Sequence, residues 1–385
     1  MNYLILTDCF YPENKSASRH IYDLACELHN NKNNITIIYP AYNNTKFYDK
    51  RFDTKIIKLS NFKKLNFFIR GIFELFLPFQ FLSKIFQMKN SVDKVIVYSP
   101  SIFFGLIFNI LKKKFDCKII LLLRDVFPDW AKQIGIFKNF SFAFFFFKFI
   151  AKFQYTNADL ICLQSKKDFK VINNFYKFTT KKTIVYNWIK INNICKIKIK
   201  NKKSNKIKKF IFAGTMGPVQ NWENIIYAVN TVNKINQNIK FYFIGNGILK
   251  NKIKQLTTNC KNLKFIDTLN EKKFLKFLSN CDAGILSLNK KIIFDNFPGK
   301  FFSYMETNLP LIADIHKEHE LTYLIKKNNI GLCNDPDDKE KLVQNILSLY
   351  KKLNKKYELE IRKQYKRLIT KKFSSKYAAN KIINI

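Results

Sequence analysis

The feature that most constrains this chain is one pattern that runs through it twice. Short apolar runs, about four to eight residues each, alternate with segments long enough for a helix. In the first half the runs are Tyr3–Phe10, Ile35–Pro40, Lys55–Leu59, Lys94–Tyr98, Lys118–Leu123, Asp159–Leu163 and Thr183–Tyr186. In the second they are Phe210–Ala213, Lys240–Ile244, Leu263–Ile266, Ala283–Leu288 and Leu311–Ile315. Strands that are apolar throughout are covered on both faces, and the helices between them supply the cover. The pattern predicts an α/β chain of two Rossmann-like, doubly wound parallel-sheet domains.

Between the halves, residues 194–209 (ICKIKIKNKKSNKIKK) turn strongly basic and lose their large apolar groups, which marks a linker. The reading is therefore a first domain over 1–193, a linker over 194–209 and a second domain over 210–356. A helical, charged segment over 357–385, apolar on one face, is expected to pack back on the first domain. A length of 385 residues suits two domains. With 47% hydrophobic residues, 10 Gly and 9 Pro, the composition is globular rather than disordered.

A formal net charge of +40 points to nucleic acid, an anionic membrane surface or an anionic substrate. Lys, Asn, Ile, Phe and Tyr are abundant together, so part of the charge reflects a bias of the whole composition; the remainder favours anionic lipid or nucleotide. No C-x-x-C pair occurs among the eight cysteines, most of which lie inside apolar patterns, as small buried groups of a reduced cytosol do. The chain opens on a strand rather than a signal peptide, so a cytoplasmic location is expected. The uncharged run Val95–Leu111 is broken by Ser99-Pro100-Ser101 and reads as strand, turn and buried helix rather than a membrane span.

In open parallel sheets ligands bind beyond the carboxyl ends of the strands. The loops at 7–19, 99–101, 124–130, 214–220, 245–248, 267–270 and 289–300 are then the ones to search for chemistry. The stretch Phe294–Ile315 (FDNFPGKFFSYMETNLPLIADI) stands out. Asn296 and Pro298 prepare a helix start, Gly299 admits close backbone approach, and Lys300 places a cation in the first turn. The helix dipole disfavours a cation there unless an anion is bound, so the stretch describes a phosphate or diphosphate seat; a solvated surface lysine is the plain alternative. Gly214-Thr215-Met216-Gly217 follows the first strand of the second domain and offers backbone amides to the same phosphates, or serves packing alone. The turn at Gly245 leaves room for a donor, or is simply tight. His316-x-x-His319 with Glu318 and Glu320 lacks a third ligand in a matched element, so no metal is expected. The phenylalanine-rich segments Leu65–Phe86 and Phe140–Phe153 fit core helices or helices lying on an anionic bilayer, with Lys138, Lys148 and Lys152 at the headgroups.

Taken in order, FAGTMGPVQNWENII, FIGNG, NCDAGILSL and FPGKFFSYMETNLPLI resemble the nucleotide-sugar domain of the family 4 retaining glycosyltransferases, which have the two-domain GT-B fold. In the first half, TDCFYPENKSASRHIYDLACEL resembles that family's acceptor loop. LLLRDVFPDWAKQIGIF, NADLICLQS and IVYNWI resemble a bacterial surface-polysaccharide subgroup that includes fucosaminyl-transferase-like and colanic-acid-type enzymes. The resemblance covers nearly the whole chain. It implies transfer of a sugar, of the N-acetylated amino or deoxyamino kind, from a UDP-sugar to a lipid-linked or growing glycan acceptor. It implies no metal and no other cofactor, and a site on the inner face of the cytoplasmic membrane.

Two glutamates eight residues apart are usual in the family ahead of its Gly-x-Pro turn. Here those places hold Asp295 and Ser303, so a carboxylate remains for donor hydroxyls and only a hydroxyl for the ribose. The family's basic residues after the first glycine turn are replaced by Thr215 and Gln220, which leaves Lys300 to neutralise the diphosphate. On this reading Lys300 and Asp295 are catalytic. Gly214, Thr215, Gly217, Gly299 and Lys300 hold the diphosphate; Asp295, Ser303, Gly245, Asp267 and Thr268 meet the sugar and nucleotide. Arg19, Arg124 and Asp125 meet the acceptor, although a buried Arg–Asp pair explains the last two equally well. The leaving group gathers negative charge as the anomeric bond breaks, and groups fixed to meet that charge accelerate the step. The rival reading from another class is a basic nucleic-acid binder, but most phenylalanines fall in buried patterns and no nucleic-acid motif appears. A catalytically inactive scaffold of the same fold is the other alternative.

Overall fold

Each apolar run named above forms a strand, with ends displaced by a few residues. The structure is a computed structural model that describes the chain except residues 14–15, 42–47, 60–66, 100, 138–140, 191–205, 296 and 385. Asn296, Lys138 and most of the expected linker therefore lie outside the described residues. The chain divides into two units, Met1–Asn187 with Ser375–Ile385, and Trp188–Ser374.

The first unit holds a seven-stranded parallel sheet in the order β3-β2-β1-β4-β5-β6-β7. Its strands are β1 (Asn2–Thr7), β2 (Asn34–Ala41), β3 (Asp53–Lys58), β4 (Lys94–Ser99), β5 (Lys118–Leu123), β6 (Leu160–Leu163) and β7 (Lys181–Ile184). Among the described residues six helices lie between them: α1 (Ser16–Asn30), α2 (Phe67–Phe86), α3 (Phe108–Phe115), α4 (Asp129–Gln133), α5 (Phe142–Asn157) and α6 (Lys166–Tyr176). A 3-10 turn, Ile102–Ile107, precedes α3. The core strands are fully buried because they carry almost only Ile, Leu and Val: in β5 every residue from Ile119 to Leu123 is at most 1% exposed.

The second unit repeats the design with six parallel strands in the order β10-β9-β8-β11-β12-β13. These are β8 (Lys208–Ala213), β9 (Ile239–Ile244), β10 (Leu263–Ile266), β11 (Ala283–Ser287), β12 (Leu311–Asp314) and β13 (Gly331–Asn334). The last is absent from the sequence reading, because GLCN is too short and too poor in branched residues to register as a strand. The helices are α7 (Trp222–Ile235), α8 (Lys250–Leu256), α9 (Glu271–Leu278), α10 (Gly299–Glu306), α11 (Glu320–Lys327), α12 (Lys339–Lys352) and α13 (Lys355–Leu368). Phe210, Phe212, Phe241, Phe243 and Trp222 fill the core between sheet and helices.

The boundaries differ from those expected. Strand β8 begins at Lys208, inside the basic stretch assigned to the linker. Residues 355–374 belong to the second unit: Tyr365 is buried and donates its hydroxyl to Leu309 O at 2.8 Å. Only the final helix, α14 (Ser375–Ile383), joins the first unit, where it packs on α1. There Ser375 Oγ donates to Glu27 Oε1 at 2.9 Å and Lys381 Nζ to Ile184 O at 2.9 Å. Among the described cysteines, Cys9, Cys26, Cys117, Cys162, Cys260 and Cys281 are buried free thiols and Cys333 is half-buried.

Candidate active site

In each sheet the chain winds outward in both directions from a central pair, β1/β4 in the first unit and β8/β11 in the second. The strand order reverses there, and an open parallel sheet receives ligands beyond the carboxyl ends at that point. The two loops flanking the switch in the second unit are those after β8 and β11, which carry Gly214–Gly217 and the approach to Lys300.

Helix α10 is fixed over this point by Tyr304. The ladder between β8 and β11 is paired from Phe210–Ala283 to Phe212–Ile285 and opens beyond it. The Tyr304 hydroxyl fills the opening: it accepts the Ala213 N–H at 3.0 Å and lies 3.1 Å from Ile211 O and 3.3 Å from Ile285 O. Room for the ring exists because residue 284 is glycine; a Cβ there would come within 2.5 Å of it. Lys300 lies one turn earlier on the same helix face. Its Nζ stands 3.7 Å from the centroid of the Phe212 ring. The end of its side chain passes 3.6 Å from where a Cβ of Gly214 would be. The structure thus brings together Lys300 and the first glycine turn, two places 86 residues apart in sequence.

The Lys300 ammonium is buried and has no hydrogen-bond partner among the described residues. Burial alone lowers its pKa to about 7. The ring face offers a cation about 1–2 kcal/mol, which does not replace its lost hydration. An anion placed beside Nζ does, and returns the lysine to its charged form.

The glycine turn contributes less than expected. Gly214 requires glycine, with φ at +125°. However, its N–H is bonded to Ile244 O at 2.9 Å and that of Met216 to Asn246 O at 3.0 Å. The Gly217 N–H takes Gln220 Oε1 at 3.3 Å. Three of the amides assigned to phosphate are therefore engaged within the protein, and Thr215 is the exposed crest of the turn. Gly245 is explained by the same packing: a Cβ on it would sit 2.1 Å from Gly214 O, and one on Gly247 2.3 Å from Met216 O. These glycines let two backbone loops touch. Beside them Lys250 pairs with Asp267 and donates to Asn246 Oδ1 at 2.6 Å, while Asn246 Nδ2 donates to Thr268 Oγ1 at 3.3 Å. Asp267 and Thr268 are exposed on this rim.

Asp295 is buried, and its Oδ2 accepts the N–H of Glu320 at 3.1 Å. His319 accepts the N–H of Leu321 on Nδ1 at 3.0 Å. Together they cap α11, so the Asp295 carboxylate expected to meet donor hydroxyls is instead engaged at a helix start. A ring nitrogen that accepts an amide proton carries none, so the Asp295–His319 approach of 3.9 Å is not an ion pair. His316 Nε2 lies 2.9 Å from Lys290 O. Ser303 is half-buried on α10, one turn from Gly299 and Lys300.

In the second unit the sequence reading missed a buried polar group. Ser287, Asp314 and Asn334 end β11, β12 and β13 and stand side by side in register. Asp314, fully buried, accepts from Ser287 Oγ at 2.9 Å, Asn224 Nδ2 at 3.0 Å and Asn334 Nδ2 at 2.7 Å. Burial raises its pKa to about 6 against the pull of those three donors. Ser287 Oγ in turn accepts the Asn221 N–H at 3.1 Å, and Asn289 N–H donates to Val219 O at 2.8 Å. The carboxylate is thereby tied to the far end of the glycine turn. Its only sequence signal is an acid closing an apolar strand, LPLIAD.

In the first unit Arg124 follows β5. Its guanidinium is buried, donates to Val185 O at 2.5 Å and lies 5.9 Å from the Tyr98 ring centroid. His20 is buried nearby on α1, and burial, then the charges of Arg124 and Arg19, lower its pKa to about 3. Asp125 is half-buried, and Arg19 approaches Asp23 at 3.9 Å. Arg124, His20 and Arg19 thus gather at the carboxyl edge of this sheet. His20 was not singled out in the sequence, although it adjoins Arg19.

Residues 193–368 match the family described as Glycosyl transferases group 1. The chain is 25% identical over 332 residues to a probable glycosyltransferase, WbjE, of Pseudomonas aeruginosa, with 82% of each chain covered. Its fold resembles the crystal structure of WaaG, a glycosyltransferase involved in lipopolysaccharide biosynthesis, with a TM-score of 0.67 and 11% identity, covering 99% of both chains. It also resembles HepE of Anabaena in complex with UDP and glucose, with a TM-score of 0.68 and 13% identity, covering 100% of this chain and 98% of that one.

Proposed function

From a chain that is a glycosyltransferase, with a glycosyl transferases group 1 domain over residues 193–368, we infer a UDP-sugar-dependent enzyme that retains the anomeric configuration. The observation that carries this is the buried Lys300 ammonium at the switch point, which has no hydrogen-bond partner among the described residues, beside the exposed Gly214–Thr215 crest. A diphosphate set there receives the Lys300 charge, the Thr215 hydroxyl and the first amides of α10. As the anomeric bond breaks, the charge gathering on the leaving oxygen strengthens the contact, so the site favours the transition state over the bound donor. A leaving-group oxygen takes the acceptor proton on the same face of the sugar.

The other roles are divided by position. Gly299 and Ser303 share the α10 face with Lys300 and meet the diphosphate and ribose. Asp267, Thr268 and the Gly245 loop form the nucleotide rim. Asp295 fixes the loop before α10 through its bond to the Glu320 N–H. Arg124, Asp125 and Arg19 receive the acceptor, a lipid-linked or growing glycan of a surface polysaccharide, on the inner face of the cytoplasmic membrane. The named role of WaaG in lipopolysaccharide synthesis and the UDP and glucose held by HepE support this reading. The donor is an N-acetylated amino or deoxyamino sugar, as the surface-polysaccharide resemblance implies.

Thermal shift against a panel of nucleotide sugars, followed by turnover with the sugar that stabilises most, tests the proposal. Lys300→Ala is expected to lower turnover by at least about 10²-fold, as for loss of one charge-stabilising group. Near-normal turnover in that variant removes Lys300 from the mechanism.

A further inference from the structure

Helix α5 presents to solvent the residues a helix normally buries. Phe142, Phe145, Phe146 and Phe149 fall at spacings of three, one and three residues, a single helical stripe, and are 86%, 52%, 40% and 67% exposed. The opposite stripe, with Phe144, Ile150, Ala151 and Tyr155, is buried. On α2, Ile72, Phe76, Phe79 and Phe86 recur at helical spacing and are likewise exposed, Phe76 at 56%. Both helices close over the 102–107 turn: the Phe81 and Phe104 rings approach at 5.0 Å and those of Phe103 and Phe147 at 6.2 Å. The connections β3→β4, β4→β5 and β5→β6 all step the same way along the sheet, so right-handed crossovers place α2, α3 and α5 in one layer. A helix that is apolar all round needs an apolar neighbour on its outer side too.

Charge decides which neighbour. Helix α5 contains no acidic residue and α2 only Glu74. Exposed Lys152 on α5, and Lys113 and Lys114 on α3, border the aromatic stripes, and Lys114 Nζ lies 5.7 Å from the Phe86 ring centroid. A second copy would bring another net charge of +40 against this one. An anionic bilayer accepts both features, with rings at the acyl boundary and lysines among the headgroups.

We propose that the outer faces of α2 and α5 form a bilayer-insertion surface of the first unit, held mainly by phenylalanine and only secondarily by charge. This rests on the reading of a lipid-linked acceptor for its purpose, and it changes which residues matter. Lys148, expected at the headgroups, turns its ammonium among the Phe144, Phe175 and Tyr176 rings, 5.3–5.6 Å from each centroid.

The test is flotation of the full chain with phosphatidylcholine vesicles, with and without phosphatidylglycerol. The wild type is expected to bind the mixed vesicles and to retain most binding when salt rises from about 0.1 to about 0.5 M, where surface charges are largely screened. Phe142→Ser with Phe145→Ser and Phe149→Ser should reduce partitioning at least about tenfold, as loss of buried aromatic area requires. The circular-dichroism spectrum and melting curve of that variant should match the wild type, which shows that the first unit still folds. Binding that disappears at the higher salt, or that survives the three substitutions, overturns the proposal. A wild-type oligomer that the substitutions dissolve, without vesicle binding, overturns it in favour of a second copy. Lys300→Ala separates the two readings, since it should abolish turnover and leave flotation intact.

Discussion

Tyr304 stands one helical turn beyond Lys300 and brings its hydroxyl to the Ala213 N–H at 3.0 Å. That spacing sets the Lys300 ammonium 3.7 Å from the Phe212 ring centroid, over the end of the same strand. Tyr304 fills the opening between the central strands, and Lys300, one turn earlier, lies beside Phe212 and Gly214 at the end of β8.

Tyr304→Phe tests the coupling between them. It keeps the ring against Gly284 but leaves the buried Ala213 N–H unsatisfied, at a cost of about 1–3 kcal/mol. The expected outcome is a melting temperature lower by several degrees, together with weaker donor binding than the stability loss explains. Unchanged donor affinity in this variant separates Tyr304 from the placing of Lys300.

A second prediction concerns pH. With its pKa lowered to about 7, the unligated Lys300 binds fewer protons than in the unfolded chain from about pH 7 up to the usual lysine value. Stability from this group therefore rises with pH across that window, and below it the full penalty of the buried charge applies. A bound diphosphate favours the charged form, so binding above pH 7 takes up a proton. UDP affinity is expected to fall above pH 7, by up to about tenfold per unit. Titration calorimetry in buffers of different ionisation enthalpy reads the uptake directly, and Lys300→Met should erase it.

Gly245→Ala probes the backbone contact. A methyl group there meets Gly214 O at 2.1 Å, and φ at +137° is strained for any L side chain. The cost should exceed about 1 kcal/mol. Because the displaced atoms belong to the turn beside Lys300, donor affinity should fall more than in a variant of equal stability loss elsewhere, such as Ile253→Val in the core of the same unit.

Asp314→Asn addresses the buried network. Its pKa, raised to about 6, means that the folded chain binds more protons than the unfolded one between about pH 4 and 6. Stability from this group is thus highest at low pH and declines as pH rises through 6, by about 1–3 kcal/mol. Asparagine should flatten that slope in urea titrations run between pH 4 and 7. An unaltered slope means that another group titrates there.

The apolar runs alone placed every strand but β13 to within a few residues, because burial on both faces leaves a strand no choice but continuous Ile, Leu, Val and Phe. Lys300 was legible for a similar reason: a cation in the first turn of a helix opposes the dipole and asks for an anion. Tertiary structure decided what depends on a distant neighbour. The capping of α11 by Asp295, the engaged amides of the 214–217 turn and the glycines at 245 and 247 follow from contacts between loops, which sequence spacing does not encode. Asp314 acquires its partners only when three strand ends come into register, and the outward face of α5 is defined by what fails to cover it. Local periodicity records the environment of a segment, whereas a site is a meeting of segments, and only folding sets which of them meet.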